Sequence, residues 1–89
     1  MSTYIVSFDI DDAVRKAAFK EKLKSYATYC PINNHCWAIV TDKKAIEIRD
    51  FLKMALLATD RMFVIRSGTE AAWVNPFAEA NTEWLKKYL

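Results

Sequence analysis

Asp9 closes an alternating run, Tyr4-Ile5-Val6-Ser7-Phe8-Asp9-Ile10. Aspartate is depleted in strands, so its presence at that point asks for a reason. One reason is local: the carboxylate caps the turn that follows or pairs with a nearby basic side chain. The other is chemical. Mg²⁺ typically takes one or two protein carboxylates and completes its shell with water and substrate phosphate. A lone carboxylate builds no metal cage, but a symmetric dimer would supply two copies of Asp9, and the pair could hold a metal that polarises a phosphodiester and activates water. Asp11 and Asp12 make the turn more acidic, as helix caps or as outer-shell partners of such a metal. Ser7 shares the face of Asp9, but the sequence identifies no histidine base beside it, so nucleophilic catalysis gains little support.

A second feature is charge. Arg15, Lys16, Lys20, Lys22 and Lys24 stand against a single Glu21, giving this stretch +4 in a chain of net charge +2 and leaving −2 to the remainder. Lys16, Lys20 and Lys24 recur every fourth residue, a like-charged ridge that costs an isolated helix some stability. Arg15, Lys16, Lys20 and Lys24 are therefore candidates for phosphate contacts, against the plainer reading of a solvated helix face. Tyr26, Tyr29 and Trp37 would stack on unpaired bases if exposed, or pack in a core or dimer interface. Cys30, His35 and Cys36 do not have the spacing of a zinc knuckle, and packing explains them better than metal.

These residues need a scaffold, and 89 residues provide one domain with one core. Hydrophobic residues reach 53% and aromatics 13%, rich for so short a chain, so burial against a second copy is expected and a homodimer follows. One glycine and two prolines exclude a low-complexity chain. The two cysteines read as free thiols in a reducing compartment. The amino-terminal stretch lacks the basic region of a signal peptide, and no run approaches the roughly 18 apolar residues of a membrane span. The expected location is cytoplasmic, without a membrane partner.

Along the chain, Thr3 to Ile10 predicts a strand with Tyr4, Val6, Phe8 and Ile10 on its apolar face and Ile5, Ser7 and Asp9 on the other. A helix from about Asp12 to Ala27 follows, packed through Val14, Ala18, Phe19, Leu23, Tyr26 and Ala27. Thr28 to Asn33 reads as a short irregular strand because Pro31 is tolerated only at an edge or a bulge. Asn33-Asn34 then turns a hairpin into Cys36 to Thr41. Asp42 is the expected cap of a second helix, with Ala45, Ile48, Leu52, Ala55 and Leu56 inward, ending near Ala58. Arg61 to Arg66 is a fourth strand, and Gly68 marks a place for backbone that other residues resist. After the Asn75-Pro76 turn, Asn81 should cap a last short helix whose face of Trp84, Leu85, Tyr88 and Leu89 must dock on the domain or on a partner subunit.

The order is that of an α+β, ferredoxin-like split βαβ fold: an antiparallel sheet with two helices on one face and a short C-terminal helix. The chain reads as one domain, residues 1–89, with 69–89 as a C-terminal extension. The other sheet face is expected to stay open for dimerisation, carrying Ile5, Ser7 and Asp9.

With these elements in place a resemblance emerges. Tyr4-Ile5-Val6-Ser7-Phe8-Asp9-Ile10, a basic helix ending Leu23-Lys24-Ser25-Tyr26, a hairpin arm Trp37-Ala38-Ile39-Val40 and a second amphipathic helix resemble the small ferredoxin-like CRISPR-associated proteins. The second of the two adaptation proteins is meant, and more closely the Cas-like SinR family. Gly68-Thr69-Glu70-Ala71-Ala72-Trp73 and Trp84-Leu85-Lys86-Lys87 are similar to that SinR group in particular. The resemblance implies a homodimer that binds nucleic acid, with Mg²⁺-dependent nuclease activity at the aspartate matching Asp9. The chain departs from the CRISPR pattern in Ala27, where glycine commonly follows the tyrosine, and in Pro31. The alternative is a non-catalytic interaction module, a phage or mobile-element factor acting on a host protein through the sheet face or the C-terminal helix. A small-molecule sensor ranks third, since the fold hosts many unrelated sites.

Overall fold

Each strand of the chain has one face that must leave water, and the sheet is built around the most apolar of them. The computed structural model describes residues 1–68 and 70–89; Thr69, where the expected C-terminal extension begins, lies outside the described residues. The elements are β1 (Ser2–Asp9), α1 (Ala13–Leu23), β2 (Thr28–Asn33), β3 (Cys36–Thr41), α2 (Ala45–Leu52) with a 3₁₀ turn at Lys53–Ala55, β4 (Arg61–Arg66) and α3 (Glu79–Tyr88). The four strands pair antiparallel in the order β2-β3-β1-β4. This small α+β architecture is consistent with a ferredoxin-like fold.

Because side chains alternate along a strand, register decides which residues share a face. Val6 lies opposite Trp37 and Val64, while Ser7 lies opposite Cys36 and Phe63. The Val6 face meets α1 and α2. Tyr4, Val6, Phe8, Ile10, Trp37 and Ile39 pack there with Phe19 and Leu23 of α1 and Ile48 and Leu52 of α2. The Phe8 and Phe19 rings lie 4.9 Å apart, fixing the start of α1 over the end of β1. Full burial of such a side chain contributes roughly 1.5–3 kcal/mol, so this face holds most of the stability.

The helix ends differ from the expected ones, for local reasons. Asp12 caps α1 as its Oδ2 accepts from the Arg15 amide at 2.7 Å. The helix stops at Leu23 rather than Ala27: the Ser25 amide and hydroxyl both donate to the Lys22 carbonyl, at 3.1 and 2.6 Å, and tighten the last turn. α2 is capped at Lys44, not Asp42, with Glu47 Oε1 accepting from the Lys44 amide at 3.1 Å, and its α-helical part ends at Leu52. Pro31 does fall at an irregularity of edge strand β2, where the register shifts between Pro31 and Asn33.

The second sheet face is not fully open, which corrects the expectation. α3 lies across its β2/β3 half, with Leu85 seated on Cys30 and Ala38 and with Ile5, Ile32, Trp84 and Leu89 around it. Three hydrogen bonds fix the helix there. Trp84 Nε1 donates to Thr28 Oγ1 at 2.9 Å, Asn81 Nδ2 donates to the Pro31 carbonyl at 2.8 Å, and Thr3 Oγ1 donates to the Tyr88 carbonyl at 2.6 Å. The small side chains of Ala38 and Cys30 leave a shallow seat that a helix can approach closely. Asn81 thus serves as a tether within α3, whose cap is Ala78. Gly68 has no positive φ; the left-handed residue is Asn75, at φ 53°, in the Asn75-Pro76 turn. Among the described residues no helix is long and apolar enough to cross a membrane.

Candidate nucleic-acid interface

What α3 leaves uncovered is the β1/β4 half of the second face. Asp9 stands at its end, directly opposite Arg61 across the β1–β4 ladder. The two side chains are 64% and 84% exposed and 3.9 Å apart. A pair so exposed contributes about 0–1 kcal/mol. Of the two local explanations for Asp9, the helix cap is supplied by Asp12 instead, and the pairing with a basic side chain is met by Arg61. Asp9 and Arg61 open on a groove of about 610 Å³, completed by Ser7, Phe8, Asp60, Met62 and Phe63.

Asp60 is the second carboxylate of this groove, and it is engaged. Arg15 donates to it in a fork, Nε to Oδ2 at 2.8 Å and Nη2 to Oδ1 at 2.9 Å, and the Leu57 amide donates at 3.0 Å. The Asp60 side chain is only 3% exposed. The Arg15 guanidinium, with the Leu57 amide, holds the Asp60 carboxyl below its ordinary value, and Asp60 in turn raises Arg15. This bond ties the first turn of α1 to the loop that delivers Arg61, and it presets the groove floor.

The donor set decides what metal the site could take. Among the described residues no three His, Cys, Asp or Glu side chains gather to hold an ion. One chain offers one open carboxylate, which does not fit a protein-built cage. Mg²⁺ held mainly by water and substrate phosphate asks for one or two carboxylates, and the one this groove leaves open, Asp9, stands beside the Arg61 guanidinium.

The other candidate residues lie elsewhere. α1 packs against the opposite face of the sheet, so Lys16, Lys20 and Lys24 are not brought to Asp9. Arg15 is committed to Asp60, Lys24 Nζ sits 3.0 Å from Glu21 Oε2, and Lys22 Nζ lies 4.1 Å from the Phe51 ring centroid. Lys16 and Lys20 make no salt bridge among the described residues. The aromatics are also occupied. Trp37 is buried and stacks with Tyr29 at 5.5 Å, and Tyr26 meets the Phe51 ring edge-on at 5.9 Å. Burial pushes the Tyr26 hydroxyl and both thiols, Cys30 and Cys36, above their ordinary pKa values.

Arg61 and Phe63, like Asp60, were not singled out as site residues in the sequence. Arg61 was visible only as the first residue of a strand, and Phe63 only as part of an apolar run; the Asp9–Arg61 register, a tertiary fact, is what makes them neighbours. At the other end of β4 a smaller groove, about 300 Å³, runs between Ile5, Ile32, Ile65, Ala71 and Leu89, with Arg66, Ser67 and Glu70 also lining it. Beyond it, Trp73, Val74 and Phe77 project from the segment before α3.

Among known proteins, no family model matches the chain and no curated protein does. A solved structure does match: the crystal structure of a hypothetical protein, TT1823, from Thermus thermophilus. It is similar at a TM-score of 0.65 and 20% identity, covering 83% of this chain and 90% of that one. At that identity the likeness speaks for the fold alone.

Proposed function

We propose that this chain is a nucleic-acid-binding domain of the Cas-like kind, which receives its ligand on the β1/β4 half of the sheet beside Asp9 and Arg61. The observation that carries the reading is the position of Asp9. It is a strand-end carboxylate that caps no helix, stands in a nearly solvent-exposed pair with Arg61, and opens on a groove large enough for a nucleotide. Arg61 would hold a phosphate oxygen by charge-assisted hydrogen bonds. Arg15 would act from behind, keeping Asp60 out of the groove's free charge and Arg61 in place.

Phosphodiester cleavage is the second part of the proposal. Asp9 would be the protein ligand of Mg²⁺, with the bound phosphate beside it. When bound, Mg²⁺ neutralises charge on the phosphate and lowers the pKa of its water. The chain's own residues do the placing: Asp9 fixes one ligand, Arg61 orients the phosphate, and the β1–β4 ladder holds the two side by side. A homodimer is proposed through the groove of Ile5, Ile32, Ile65 and Leu89, which lies at the far end of β4 and leaves the Asp9 end accessible.

The competing reading, a non-catalytic module that docks on a host protein, draws on that same apolar groove. A salt titration separates the two. Nucleic-acid binding should weaken as salt rises, because each counterion released from a neutralised phosphate gains less entropy at higher salt, whereas an apolar protein contact should not. With Mg²⁺ present, Asp9→Asn should bind but not cleave. Equal cleavage by wild type and variant, or none by either, would remove the enzymatic half.

A further inference from the structure

We infer that the nucleic acid taken by this surface is single-stranded, with a base stacked on the Phe63 ring and its phosphate on Arg61. The inference rests on the proposed binding site and adds the class of substrate. Phe63 sits in the middle of β4 yet is 64% exposed, and its ring is paired with no other ring among the described residues. Its register partner toward the sheet is Ser7, whose side chain is too short to cover a ring. On its other side β4 is the sheet edge.

Arg61 and Phe63 are two residues apart on one strand, so they share a face at a spacing of about 7 Å. One nucleotide spans that distance between its phosphate and its base. The groove joining them, about 610 Å³, also exposes the Ser7 hydroxyl and the Asp9 carboxylate to the edge of a stacked base. A duplex could use Arg61 but not Phe63, because its base faces are already stacked on one another. Stacking is tolerant of sequence, since every base has a π-face, so little base preference is expected. A second copy of the chain could instead cover Phe63, and the same variant tells the two apart.

The test compares wild type, Phe63→Ala and Phe63→Trp by fluorescence anisotropy, using a labelled oligothymidine, a labelled oligouridine and a blunt duplex at low salt. Loss of one stacked base should weaken single-strand binding about 5- to 150-fold in Phe63→Ala. Phe63→Trp should restore it, and duplex binding should be unchanged by either variant. Phe63 is exposed, so both variants should keep the wild-type urea midpoint. The inference is overturned if Phe63→Ala binds oligothymidine and oligouridine like wild type, or if wild type prefers the duplex. A change of mass in sedimentation equilibrium on Phe63→Ala would also overturn it, assigning the ring to a protein interface. If wild type binds no nucleic acid at all, the proposed function fails with it.

Discussion

Leu85→Ala tests how α3 is held, and its size follows from the contacts. Leu85 is 4% exposed and forms, with Cys30 and Ala38, the whole fully buried part of the second cluster. Truncation removes three carbons from an apolar site, a transfer loss of about 2.4 kcal/mol at ~0.8 per methylene. A rigid core would add a cavity term and bring the total toward ~5 kcal/mol. Here the seat is shallow and α3 can settle onto Ala38, so the expected loss is about 2–3 kcal/mol. For a chain of 89 residues that is a large part of a stability of roughly 4–13 kcal/mol. Urea unfolding followed by circular dichroism gives the total, and amide hydrogen exchange shows whether α3 opens by itself. The α3 amides should exchange by their own, cheaper opening and be less protected than those of Val6, Phe8 and Ile39, which open only on global unfolding and lose no more than the global amount. A loss below about 0.5 kcal/mol, or α3 amides as protected as those of β1 and β3, would refute the separate seating of α3.

The two acids of the groove should behave oppositely. Asp60, held below its ordinary pKa by Arg15, contributes stability that is complete above the unfolded carboxylate value of about 3.9 and is lost as pH falls through the lower folded value. Asp60→Asn should therefore lower the melting temperature at neutral pH and flatten the acid limb of the stability curve; an unchanged limb would mean that the Arg15 fork is not formed in solution. Asp9→Asn should leave the urea midpoint within the equivalent of about 0.5 kcal/mol, as for other exposed sites. A larger loss would give Asp9 a structural job.

Much of the fold was legible in the sequence because alternation and helical spacing report which face of an element leaves water. Tyr4, Val6, Phe8 and Ile10 read as buried, and they are. Their opposite numbers were harder. Met62-Phe63-Val64-Ile65 is apolar throughout, so periodicity does not say which side of β4 faces solvent; only pairing with Ser7 puts Phe63 on the open half. The seat of α3 was hidden for a related reason. Trp84, Leu85 and Leu89 advertise an apolar helix face, but Cys30 and Ala38, which receive it, look like ordinary strand residues. Their role depends on being small at one point of a surface that two distant segments build.

The site was half legible. Asp9 stood out because its residue type is wrong for a strand, a local signal. Asp60 carried no such signal, since its fork with Arg15 bridges 45 positions of sequence, which no local pattern carries. The basic ridge of α1 was plain in the sequence, yet its side of the sheet was fixed by Phe19 and Leu23, which bury it against the face away from Asp9.

Where nucleic acid sits is read directly by chemical-shift mapping with a short oligothymidine. On titration into ¹⁵N-labelled protein at low salt, the amides of Ser7, Asp9, Arg61 and Phe63 should shift together and saturate with one affinity, while those of Lys16, Lys20 and Lys24 stay in place. Shifts concentrated along α1 with the β1/β4 amides unmoved would contradict that placement.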